Sequence, residues 1–316
     1  MKMPIRTQWI FALALGLSSS LNAKTQLPQN MAAIGDSITA GALAGFKRTD
    51  AHNPLVGFKF LYFLGKAGYM HSLRAFESRS RSWAAGDGSK VLTHARRILK
   101  LNDFSKKELP VYNAAVSGST SYDINEQVSS VLSWSRKELK QGAPDYVLLA
   151  IGANDACQDT NEEMTPASAY GNNVRNAVFK VLEANPNAQV FISGIPNLDH
   201  LRNVAENSWL GLPPLSTCKD MWALHKFCNN VLLEKDPRKR EEVTERLLEY
   251  FDEIEAVKAE ANARFGSDHV RFGREVYNYN FSDNDISIDC FHPNAKGQQI
   301  LSDITWKKSW WSNLIP

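Results

Sequence analysis

The sequence predicts a doubly wound α/β domain, a mostly parallel sheet with helices on both faces. Short β-type runs alternate with longer helical patterns along the chain. The middle runs are near-continuously apolar, as strands covered on both faces require. No internal repeat, low-complexity tract or Pro/Gly/Ser linker divides the sequence, so its 316 residues fit one domain behind a short leader.

Five runs read as strands: Met31–Ile34, Val111–Val116, Tyr146–Ile151, Gln189–Ser193 and Val270–Phe272. Helical patterns lie between them, at Leu55–Leu64, about Asp123–Leu139, Ala167–Leu182 and Arg240–Phe265. In the last of these Val243, Leu247, Phe251 and Ile254 share one face at spacings of three and four. The charged blocks around Arg238–Glu242 and Asp252–Glu253 form its solvated side. The apolar stretch Leu55, Val56, Phe58, Phe60, Leu61, Phe63, Leu64 reads as a buried helix, with a lid or acyl-chain wall as the alternative.

Composition excludes several classes. With 43% apolar and 22% charged residues the chain is neither disordered, collagenous nor a coiled coil. Lys2 and Arg6, the apolar run Trp9–Leu17 and then Ser18 to Ala23 have the order of a signal peptide, too short to span a bilayer. The expected organisation is therefore a leader over residues 1–23, cleaved near Ala23, and a single domain over 24–316, exported to the periplasm or beyond. The leader carries two bases and no acid, which leaves the remainder with as many acids as bases. Nucleic-acid binding, which needs surplus Lys and Arg, is not expected.

In doubly wound sheets ligands bind at the carboxyl ends of the strands, so the residues just after each strand are the ones to read. Gly35-Asp36-Ser37-Ile38-Thr39 follows the first, Ser117-Gly118-Ser119 the second and Gly152-Ala153-Asn154-Asp155 the third; Asp289-Cys290-Phe291-His292-Pro293 precedes the last helix. Singly, each is explained as a turn, a cap or a surface loop. Together they supply an acyl-transfer site. Ser37 sits where a strand meets a helix start and needs a base, for which His292 is the candidate. Asp289 can reach His292 across three residues and hold its tautomer. The backbone N–H groups of Ser37 and Gly118 and the amide of Asn154 are candidate oxyanion donors. Asp36 and Asp155 read as capping and turn residues, and none of His52, His71, His94, His200, His225 or His269 has a partner pattern that makes it a better base.

The chain lacks a Gly-x-Ser-x-Gly elbow. The four blocks GDSIT, SGS, GAND and DCFHP, in this order, resemble the SGNH (GDSL-type) esterase/lipase superfamily. The resemblance implies a three-layer α/β/α, flavodoxin-like fold with a mostly parallel five-stranded sheet. It also implies a mechanism without metal or cofactor, with Ser37 the nucleophile, His292 the base, Asp289 its partner, and Gly118 and Asn154 oxyanion donors. A narrower likeness, carried by RSWAAGDG (Arg81–Gly88), NAAVSG (Asn113–Gly118), IGANDAC (Ile151–Cys157) and DCFH (Asp289–His292), is to phospholipase B-type members. It spans about Met31 to Leu301 and weakens between about Asn203 and Asp268. Those relatives hydrolyse acyl esters of phospholipids and lysophospholipids; Ala153 and Pro293-Asn294 depart from their pattern.

Export makes Cys157, Cys218, Cys228 and Cys290 disulfide candidates. Asn154 and His292 must converge for catalysis, so a Cys157–Cys290 bridge is expected, with Cys218–Cys228 closing a short loop. A metal site on Cys218, His225 and Cys228 lacks a fourth ligand. The tail Trp306-Lys307-Lys308-Ser309-Trp310-Trp311 suits either docking of a final helix on the sheet or a transient membrane-surface contact. The expected function is an exported serine ester hydrolase acting on lipid or (lyso)phospholipid acyl esters. The rivals are a carbohydrate O-acetyl esterase of the same fold and a catalytically inactive binding module.

Overall fold

The computed structural model describes residues 26–102, 108–212, 215–266 and 268–314; the leader expected over residues 1–23 lies outside them. Five parallel strands form the central sheet: β1 (Met31–Gly35), β2 (Val111–Asn113), β3 (Tyr146–Ala150), β4 (Gln189–Ser193) and, after a separate hairpin of β5 (Trp209–Leu212) and β6 (Leu215–Thr217), β7 (Val270–Gly273). Their order is β2-β1-β3-β4-β7. This is the flavodoxin-like arrangement, with its topological switch point between β1 and β3. Met31 pairs with Tyr146 and Gly35 with Ala150, so the carboxyl ends of these two strands lie level.

Alternate side chains of each strand enter opposite cores. Ala32, Ile34, Val147, Leu149, Val190 and Ile192 face one layer; Met31, Ala33, Tyr146, Leu148 and Phe191 face the other. Twelve helices are described: α1 (Ser37–Ala40), α2 (Pro54–Ala67), α3 (Tyr69–Ala75), α4 (His94–Leu101), α5 (Ile124–Trp134), α6 (Ala153–Ala156), α7 (Ala167–Ala184), α8 (Leu198–Ala205), α9 (Cys218–His225), α10 (Pro237–Phe265), α11 (Glu275–Asn278) and α12 (Ala295–Trp306). α5, α7 and α10 cover the first core through Val128, Val131, Val174, Val178, Leu247, Phe251 and Ile254. α4 and α12 cover the second through Ile98, Leu301 and Trp306.

Several expectations change in the structure. The β2 ladder stops at Asn113 because its own Oδ1 accepts from the Ala115 amide and turns the chain, while the Ala114 and Val116 amides still donate to Ala33 and Gly35. The pattern over Asp123–Leu139 is an α-helix that ends at Trp134 and runs on as a π-helical segment, Ser135–Leu139. The 54–67 helix forms and is buried on one face only, where Val56, Phe60 and Leu61 pack against the core. Gly57 and Phe60 face the protein, whereas Leu55, Phe58 and Tyr62 face outward. The C-terminal tail is docked: Trp306 and Trp311 are buried, and Trp311 packs edge-on against Tyr146.

The disulfide pairing also differs from expectation. Cys157 joins Cys228 and Cys218 joins Cys290, with Cα–Cα separations of 4.5 and 5.6 Å. Cys218 opens α9 and Cys228 follows its end, and each is delivered to a different loop of the domain. The segment carrying β5, β6 and α9 is clamped twice onto the domain, once to the end of α6 and once inside the Asp289–His292 turn. Both cysteines of the supposed metal trio are consumed by these bridges.

Candidate active site

β1 ends at Gly35 (φ 149°), where a Cβ would collide with the Ala150 carbonyl oxygen at 2.1 Å. Only glycine lets the two central strands lie this close before the chain turns. Asp36 then caps α1, its Oδ1 accepting from the Ile38 amide at 2.9 Å, and Ser37 is the first helical residue. Ser37 is therefore presented at a helix start on the carboxyl edge of the sheet. Gln127 on α5 locks this corner: Oε1 accepts from the Gly35 amide, and Nε2 reaches both the Gly35 carbonyl and Ser119 Oγ at 2.9 Å.

His292 comes from the loop before α12. Cys290 adopts a left-handed conformation (φ 64°), which folds Asp289–His292 into a tight turn. Asp289 Oδ1 accepts from the Phe291 and His292 amides at 3.1 Å, and Asp289 Oδ2 meets His292 Nδ1 at 2.5 Å. The opposite imidazole nitrogen, Nε2, lies 2.7 Å from Ser37 Oγ. The partners assign the proton to Nδ1, which donates to Asp289, and leave Nε2 to accept the Ser37 hydroxyl proton. All three side chains are buried.

Burial opposes ionisation of Asp289, but the charge and hydrogen bond of His292, the Tyr69 hydroxyl and the His292 amide outweigh it. The Asp289 carboxyl is held below its ordinary range. Asp36, one residue from the nucleophile, moves the other way. Burial pushes its carboxyl up to about 7, against the opposing pull of the Ile38 amide and His292.

Gly118 and Asn154 stand at the ends of the strands on either side of β1. The Val116 amide donates to the Gly35 carbonyl, pairing the segments two residues before Gly118 and Ser37, and Gly118 has φ 86°. Asn154 opens α6 and donates from Nδ2 to the Ser119 carbonyl at 2.8 Å, so the two blocks touch. Asp155 ties the same turn from below, accepting from the Ser121 amide and hydroxyl at 2.6–3.1 Å. Open clefts of about 950 and 720 Å³ flank the site, one reaching Gly118 and the other Asn154; Arg74 lines both.

Ser37, Asp289 and His292, far apart in sequence, thus join in one chain of hydrogen bonds, and Gly118 and Asn154 follow the strands on either side of β1. Sequence reasoning missed Tyr69, whose hydroxyl donates to Asp289 Oδ2 at 2.8 Å, and also Gln127. Neither lies in a recognisable block, and only their contacts mark them. His94, one of the spare histidines, is in the opposite core between the Tyr146 and Thr305 hydroxyls, its basicity suppressed by burial.

Acyl transfer is the chemistry that a buried hydroxyl–imidazole–carboxylate relay serves at the switch point of such a sheet, and the class is that of the serine carboxylic ester hydrolases. The chain belongs to the GDSL-like lipase/acylhydrolase family, whose model matches residues 31–304. No curated protein matches the chain. Among solved structures it is similar to a family 3 carbohydrate esterase of Clostridium thermocellum (17% identity over 90% of this chain and 96% of that one, TM-score 0.43). It is also similar to an extracellular lipase of Streptomyces rimosus (15%, 89% and 99%, 0.40) and to the lipase Lip_vut3 from a goat rumen metagenome (13%, 89% and 97%, 0.48). Likeness at this level decides nothing about substrate.

Proposed function

We propose that the protein hydrolyses acyl esters of lipids or (lyso)phospholipids through a Ser37–His292–Asp289 triad. The observation that carries the chemistry is the unbroken chain of hydrogen bonds from Ser37 Oγ through His292 to Asp289, at 2.7 and 2.5 Å. Ser37 Oγ attacks the ester carbonyl while His292 Nε2 takes its proton, and the oxyanion is held by the Ser37 and Gly118 amides and the Asn154 side chain. The leaving alcohol takes the proton back from His292, and water repeats the sequence on the acyl-enzyme.

The lipid assignment is supported by the size and charge of the flanking clefts. Each is far larger than an acetyl group needs, and Arg74 and Lys226 outnumber Asp159 among the charged residues lining the one at Asn154, a rim suited to a phosphate-bearing head group. The same openness, with Arg79, Asn113 and Asp123 lining the other cleft, favours a second reading, an O-acetyl esterase acting on a polar carbohydrate. Rates against p-nitrophenyl esters of increasing chain length separate the two. The lipid reading expects kcat/KM to rise beyond acetate; a sharp preference for acetate overturns it. Labelling of Ser37 by a fluorophosphonate probe tests the catalytic assignment itself, and an unlabelled protein would return the inactive binding module.

We also infer export, with cleavage near Ala23 and a single domain over 24–316. Two disulfides support an oxidising compartment. No helix among the described residues is long and apolar enough to cross a membrane.

A further inference from the structure

We propose that the outward face of α2, continued by Trp209 of the hairpin, docks onto an anionic lipid–water interface. This deepens the lipid-ester reading and rests on it. Leu55, Phe58 and Tyr62, three and four residues apart, form one stripe of the helix and are 82%, 73% and 54% exposed. An amphipathic helix of a globular domain turns such a stripe inward. Here Val56, Gly57, Phe60 and Leu61 supply the inward face, while Leu55, Phe58 and Tyr62 stay largely exposed. Trp209 is 62% exposed and extends the surface. Its ring lies 4.6 Å from that of His52, and its carbonyl accepts from Arg48 Nη1 at 2.7 Å, both in the 3₁₀ turn just before α2. An exposed cluster of Leu, Phe, Tyr and Trp is the composition that partitions into the head-group boundary of a lipid layer.

Charge selects the occupant. Residues 51–76 contain Lys59, Lys66 and Arg74 with no Asp or Glu, in a chain whose acids and bases otherwise nearly balance. Lys59, next to Phe58, and Arg74 are exposed and have no ion pair among the described residues. A cation beside the apolar stripe, in a segment without acids, matches an anionic lipid surface. The position suits delivery as well: α2 leads through Gly68 into Tyr69, which bonds Asp289, and both residues line the cleft that reaches Asn154.

The test uses Ser37→Ala protein, so that lipids stay intact, sedimented with vesicles of phosphatidylcholine alone or mixed with phosphatidylglycerol. Binding to the mixed vesicles, weakened by salt, is expected. Leu55→Ser/Phe58→Ser should lower the partition coefficient about tenfold or more. Lys59→Glu should lower it without removing apolar surface, which keeps the test valid if the double variant misfolds. Leu314→Ser, at an exposed apolar residue elsewhere, should leave it unchanged. Absence of binding, an equal loss from Leu314→Ser, or a dimer dissociated by the double variant overturns the proposal. Vesicle binding without turnover of long-chain esters by the wild type leaves docking intact and removes the lipid-substrate reading. Turnover of dissolved long-chain esters without vesicle binding does the reverse.

Discussion

Tyr69 donates its hydroxyl proton to the same oxygen of Asp289 that receives His292 Nδ1, at 2.8 and 2.5 Å. The carboxylate that orients the imidazole is thereby shared with a residue from the start of α3. Burial and the Asp289 charge keep the Tyr69 hydroxyl protonated far above its ordinary range, so it remains a donor at every working pH. Its ring is also held from behind, 5.5 Å from His225 and 4.9 Å from Phe227.

Tyr69→Phe removes that donor and concentrates charge on Asp289, which favours protonated imidazole. The acid limb of the kcat/KM–pH profile should move to higher pH, with a loss of less than about tenfold at the optimum. A profile that scales down without moving would show that Tyr69 only fills space.

Ser37→Ala should cost at least about 10³ in kcat with an unchanged melting temperature, since the site's relay acts as a unit. Near-wild-type ester hydrolysis would refute the triad. Asn154→Ala should cost about 10²–10³ in kcat, with a smaller effect on KM.

Asp36 makes stability depend on pH. Its folded carboxyl holds a proton up to about pH 7, while the unfolded one releases it near 3.8. Between these values the folded state binds more protons, so this contribution is complete below the lower value and is lost as pH rises to the upper. Asp36→Asn keeps the cap acceptor but not the titration. Its stability relative to wild type should therefore grow by roughly 1.4 kcal/mol per pH unit through that window and level off above it. Denaturant midpoints of both proteins across the range measure this, and parallel curves would contradict it.

Under denaturing, non-reducing conditions no thiol should react, and digestion should release peptides joined as 157–228 and 218–290. Each bridge closes a loop of just over seventy residues, worth about 4 kcal/mol in the chain-entropy model. Replacing Cys218 and Cys290 by Ser should lower activity as well as stability, because Cys290 sits in the turn that positions Asp289 and His292.

The mass of the exported protein checks the leader: a mature N-terminus at Lys24 is expected, and a retained Met1 would refute cleavage.

Strand periodicity and the four polar blocks were enough to name the sheet and to point to the Ser37, Asp289 and His292 side chains that the structure joins by hydrogen bonds, because both are local patterns. A parallel strand buried on two faces must be apolar throughout, and a nucleophile, base and oxyanion donors must stand where strands end. Three other features were decided in space. The disulfides follow α9, which delivers Cys218 and Cys228 each to a different loop. Tyr69 and Gln127 act through contacts with residues far along the chain, and no motif marks such a contact. The outward turn of Leu55 and Phe58 depends on which side of α2 meets the domain, and apolar content alone is the same for either side. Sequence determined which chemistry the chain can perform, because reacting groups are fixed by residue type. Tertiary structure decided what braces that chemistry and what surface it offers, because bracing and exposure arise only when distant segments pack.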